Sequence, residues 1–101
     1  EKNYDIGLKH LYVFVRKDLS APQKAVQACH SIIEASRNSI IPSNGNHPHL
    51  VLCEVKNQNA LIQVISKLEK LDIKFSSFIE PDLDNTLTSI ATEPISQDLR
   101  Y

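Results

Sequence analysis

Glycine is scarce in this chain: of 101 residues, only Gly7 and Gly45 are glycine. A Gly-rich phosphate cradle of the Walker or dinucleotide type needs several glycines close together, so neither can be built. Cysteine is equally scarce, and Cys29 and Cys53 supply neither a four-cysteine zinc site nor a secreted disulfide framework. Methionine and tryptophan are absent, and a sequence that opens without methionine predicts a trimmed N-terminus. No apolar run approaches the ~20 residues that span a bilayer, and no signal-peptide pattern opens the chain. The expectation is a cytoplasmic protein with no membrane partner. Net charge is −1, too little to coat nucleic acid through bulk electrostatics but compatible with a local charged patch. What is present is an ordinary globular balance, 42% hydrophobic and 23% charged. The length suits one domain over residues 1–101 with a core over 9–95, able to bury roughly 65% of its unfolded surface without staples.

Charge is unevenly distributed. Over residues 9–37, Lys9, Arg16, Lys17, Lys24 and Arg37 outnumber Asp18 and Glu34. Residues 80–101 carry Glu80, Asp82, Asp84, Glu93 and Asp98 against Arg100. Ordinary solvated charge accounts for most of these; where the two regions meet, both signs are available at one place.

His10 to Arg16, HLYVFVR, is nearly continuous in apolar character, as a strand covered on both faces requires. Ser20 and Gln23 stand three apart like a capping box, and Pro22 sits in the first turn, so a helix opens at Ser20. Its expected apolar face is Ala25, Ala28, Cys29, Ile32, Ile33 and Ser36, with Lys24, Gln27, Ser31 and Glu34 opposite and His30 toward the polar edge. Residues 38–48, rich in proline and asparagine, read as a loop. Leu50 to Val55 reads as a second buried strand, residues 57–71 as a helix, Ile73 to Ile79 as a third strand and Thr86 to Thr92 as a fourth, stopped by Pro94. The order β-α-β-α-β-β predicts right-handed crossovers and a three-layer α/β/α fold around a mixed four-stranded sheet. Ligands in such folds gather beyond the carboxyl ends of parallel strands.

Two places there can carry chemistry. The junction Arg16 to Lys24 ends in a helix N-terminus, whose free N–H groups and partial positive charge, with Lys24, can hold a phosphate or a developing oxyanion. A capped surface helix with an ordinary lysine explains the same residues. Glu80, Asp82 and Asp84, followed by Thr86 and Thr88, can supply a general base and hydroxyls that orient water. A solvated turn before a threonine-rich strand is the competing explanation. His47 and His49 lack a third ligand at fixed spacing, so no metal is expected. Cys29 and His30, as neighbours on a helix, point about 100° apart. Cys29 on the apolar stripe and Cys53 in a buried strand are expected to be inert core thiols.

The run Tyr12-Val13-Phe14-Val15-Arg16-Lys17-Asp18-Leu19, followed by Lys24-Ala25-Val26-Gln27-Ala28-Cys29-His30, resembles the opening of type II peptidyl-tRNA hydrolases. That family has a strand ending in Arg-x-Asp-Leu and then a helix with a lysine and Gln-x-x-His. Thr86 to Pro94, TLTSIATEP, is similar to the family's closing strand. The chain departs from the pattern at two loops: Ser20-Ala21-Pro22-Gln23 lacks the usual glycines, and Glu80-Pro81-Asp82-Leu83-Asp84 replaces Asp-Ala-Gly-x-Thr. The resemblance implies hydrolysis of the ester joining a peptide to the 3′ ribose of tRNA, without metal or cofactor. It places Lys24, Asp82 (or Glu80 in another register) and Thr86 in catalysis. Arg16, Lys17, Ser20, Gln27, His30, Glu80 and Thr88 fall on the substrate side. The implied partner is the acceptor end of peptidyl-tRNA; a homodimer is compatible with this reading. The alternative is an inactive binding or dimerisation module on the same fold.

Overall fold

The apolar run at the start of the chain becomes the centre of a sheet. A computed structural model describes residues 9–42 and 47–96. Gly45, Asp98 and Arg100 lie outside the described residues. The elements are β1 (Lys9–Arg16), α1 (Ala21–Arg37), β2 (His49–Val55), α2 (Gln58–Lys70), β3 (Phe75–Glu80), a 3-10 turn at Pro81–Leu83, β4 (Thr86–Thr92) and a short β5 (Ile95–Ser96). The sheet runs β2-β1-β4-β3, with β5 also paired to β1. β2 is parallel to β1, while β4 is antiparallel to both β1 and β3. β1, β2 and β3 therefore point the same way, and their carboxyl ends share one edge of the sheet.

Alternation along β1 divides the core. Leu11, Val13 and Val15 face α1 with Ala35, Ala91 and the partly buried Ala28 and Ile32. Tyr12 and Phe14 face α2, where they meet Leu61, Leu68, Leu87 and Ile90. One helix on each face of a mixed sheet makes the three-layer α/β/α fold expected from the element order. Among the described residues, no helix is long and apolar enough to cross a membrane.

Four details differ from expectation. β2 is an edge strand rather than a buried one, with Leu50 and Leu52 exposed, because α1 sits over β1, β4 and β3 and leaves this end of its face uncovered. β3 begins at Phe75, since Ile73 is taken up in the turn closing α2. Pro94 interrupts the last strand without ending it: Ile95 resumes pairing with His10, so the sheet has a fifth short strand.

The fourth difference is the phase of α1. Its buried residues are Gln27, Ser31 and Ala35, while Ala25, Val26, Cys29 and Ile33 face outward. Cys29 is thus an exposed thiol and Cys53 a half-buried one. A polar stripe can face inward because the sheet offers it partners. The Ser89 hydroxyl donates to the Gln27 carbonyl (2.6 Å), the Thr88 hydroxyl donates to Gln27 Oε1 (2.8 Å), and the Ser31 hydroxyl bonds back to Ala28 O (2.9 Å). Buried polar groups supplied this way escape the desolvation penalty that would otherwise expel them.

Candidate functional site

The carboxyl edge of the sheet meets the first two turns of α1. Ser20 caps the helix, accepting from Gln23 N–H at 3.3 Å, and Pro22 occupies the first turn. This start sets Lys24 and Gln27 on the inward side, one turn apart. Lys24 Nζ lies 2.8 Å from Glu54 Oε2 at the end of β2. The ammonium's hydrogen bond and charge, with a smaller contribution from Lys17, hold the Glu54 carboxyl below its ordinary range.

Gln27, only 1% exposed, is the hub of the other half of the site. Its Nε2 donates to Glu80 Oε1 at 2.8 Å and to Gln23 Oε1 at 3.0 Å, while its Oε1 accepts from Thr88. Those partners specify which end of the amide faces the carboxylate. The other Glu80 oxygen accepts from the Asp82 backbone N–H at 3.3 Å. The Gln27 hydrogen bond, then that of Asp82, then the charge of His30 hold Glu80 below the ordinary glutamate range. His30 stacks on Phe78 with centroids 4.5 Å apart and planes 7° from parallel.

Arg16 ties β1 to the start of β4. Its Nε and Nη2 each donate at 3.0 Å to the Asp18 carboxylate, and its Nη1 donates to Thr86 Oγ1 at 3.1 Å and to Leu87 O at 3.3 Å. The Thr86 hydroxyl in turn donates to Leu83 O at 2.7 Å, holding the acidic turn against the strand. The bidentate Arg16 fork lowers the Asp18 carboxyl against a smaller opposing effect of burial. The turn itself is tight, with Asp84 and Asn85 both at positive φ.

Of the residues singled out from the sequence, Gln27, Thr88 and Glu80 form one hydrogen-bonded group. Lys24 adjoins it through the helix, and His30 reaches it through its charge on Glu80. Arg16 and Thr86 form a second group whose hydrogen bonds are internal to the fold. Lys17, Ser20 and Asp82 are exposed at the rim. Gln27 and Thr88 are too buried to be contact residues for a large substrate; they position Glu80. Glu54 and Gln23 were missed. A carboxylate one residue before the end of a strand otherwise apolar from Leu50 is a signal for Glu54, but its pairing with Lys24 depends on parallel register. Among the described residues, no three His, Cys, Asp or Glu side chains gather into a cation site. Compared with known proteins, the chain matches no family model and no curated sequence.

Proposed function

We propose that the chain is a hydrolase of the ester between a peptide and the 3′ ribose of tRNA, using Glu80 as general base and Lys24 as oxyanion partner. The observation that carries this reading is the Gln27 amide. It anchors an ionised carboxylate to the same inward helix face, one turn beyond a lysine at the helix N-terminus. Glu80 takes a proton from water, the resulting hydroxide adds to the ester carbonyl, and positive charge at Lys24 and the helix N-terminus opposes the charge developing on oxygen. Collapse of the tetrahedral species expels the ribose 3′ oxygen, which takes up a proton. Asp82, exposed two residues on, is the alternative base. Thr86 holds the turn that carries both acids. On this reading, Lys17, Ser20 and His30 meet the acceptor end.

The test is release of tRNA from a purified peptidyl-tRNA. Lys24→Ala and Glu80→Gln are each expected to lower the rate by about 100-fold or more, while Asp82→Asn changes it little. Full activity in both of the first two variants would end this assignment. One observation favours a second reading, a non-catalytic binding module: Lys24 is already engaged by Glu54 at 2.8 Å. On that reading, the intact protein releases no tRNA, and Glu54→Gln does not restore turnover.

A further inference from the structure

We propose that β2 is the contact edge of a symmetric dimer, in which two copies pair β2 antiparallel with Leu50 opposite the partner subunit's Leu52. The Val55 carbonyl accepts from Lys17 N–H at 2.6 Å, so Val55 turns its backbone groups toward β1. Strand alternation turns those of Val51 and Cys53 the same way. The N–H and C=O groups of Leu50, Leu52 and Glu54 therefore point away from the sheet. Among the described residues, no strand pairs with that outer edge. The residues with outward backbone groups also carry the most exposed large apolar side chains described, Leu50 at 67% and Leu52 at 59%.

Natural edge strands are usually protected by charge, proline or a bulge. β3, the opposite edge, has a register irregularity between Phe78 and Ile79. β2 has none: it stays in unbroken register with β1 from His49 to Val55. Residues 49–53 contain no lysine, arginine or carboxylate, and the Glu54 charge is matched by Lys24 within the chain. A second copy therefore meets no like charge along the strand, and an isologous contact requires only that the edge complement itself.

A two-fold axis at Val51 satisfies that condition. Leu50 and the partner subunit's Leu52 become a hydrogen-bonded pair, twice over by symmetry, and exchange the outward N–H and C=O groups. Pro48 falls opposite the partner's Glu54; its carbonyl accepts from that residue's N–H, and having no N–H to return, it ends the ladder. Both α1 helices lie on the same face, and the four leucines close into one strip between them. Sliding the strand by two residues would set the Glu54 carboxylate opposite the partner's Leu50, which favours the first register.

A contact made by one strand from each copy is expected to be weak, with assembly at about 100 µM and not at nanomolar concentration. Sedimentation of the full chain from about 1 to 100 µM should show a monomer converting to a dimer. Over the same range, amide exchange at Leu50, Leu52 and Glu54 should slow, while Val51 and Cys53 stay protected at every concentration. Leu52→Lys should remain monomeric throughout, with an unchanged circular dichroism spectrum and thermal midpoint. The proposal is overturned by a monomer at the highest concentration, or by a dimer that survives Leu52→Lys. It is equally overturned if the three outer amides are protected in the monomer, which would mean that another segment of the chain covers this edge.

Discussion

Ser39 and Asp72 sit at φ of 60° and 58°, each one residue past a helix C-cap. In each case the next amide reaches back five residues, Ile40 N–H to Ala35 O at 2.9 Å and Ile73 N–H to Leu68 O at 3.0 Å. The following isoleucine packs into the core below. This is the Schellman ending, and glycine is its usual left-handed residue. The chain uses serine and aspartate instead, so the shortage of glycine that excluded phosphate cradles also leaves backbone strain at both helix ends. A Cβ in the left-handed region costs about 1–2 kcal/mol, and glycine loses about 0.5–1 kcal/mol more on folding. Ser39→Gly should therefore raise stability by about 0.5–1 kcal/mol, and Asp72→Gly by less, because aspartate tolerates this conformation better. Urea unfolding measures both; a loss of stability in Ser39→Gly would contradict the strain.

At the scale of the element, strands and helices were legible because their apolar runs and caps are local. Ser20 and Pro22 start α1 as the capping pattern predicts, and TLTSIAT forms β4 over the expected residues. The phase of α1 was not legible. Its sequence contains two stripes that could face inward, one with Cys29 and Ile33 and one with Gln27, Ser31 and Ala35, which share Ala28 and Ile32. What selects the second is the pair of hydroxyls on β4, Thr88 and Ser89, which become its neighbours only after the sheet order β1-β4-β3 is set. The candidate site inherited that gap: Gln27 was legible as a site residue, but its role as the buried support of Glu80 was not. The phase can be checked chemically. Cys29 lies in an open apolar groove with Ala25, Val26, His30 and Ile33, whereas burial in β2 pushes the Cys53 thiol up. A thiol reagent at neutral pH should modify Cys29 at least about tenfold faster than Cys53. Preferential labelling of Cys53 would return the helix to the other phase.

Across the whole molecule, three carboxylates bind different elements at the same edge of the sheet. Asp18 pairs with Arg16, whose guanidinium also holds β4; Glu54 joins β2 to α1 through Lys24; and Glu80 joins β3 to α1 through Gln27. All three carboxyls are held below their ordinary values. A carboxyl whose folded value is depressed binds fewer protons folded than unfolded across that interval. Its contribution is complete above the unfolded value and is lost as pH falls toward the folded one. Unfolding free energy should accordingly be level from pH 7 to about 5 and decline from about pH 4.5 downward. The decline should be shallower in a Glu54→Gln and Glu80→Gln double variant, which no longer has two of the groups that titrate. Because both groups anchor α1, the acid-sensitive contacts are those between this helix and the carboxyl ends of β2 and β3. Amide exchange at pH 4 should quicken first in the opening turns of α1, while the β1–β4 ladder, held by apolar packing on both faces, keeps its protection. Uniform loss of protection across the helix and the central ladder would place the acid-sensitive contacts elsewhere.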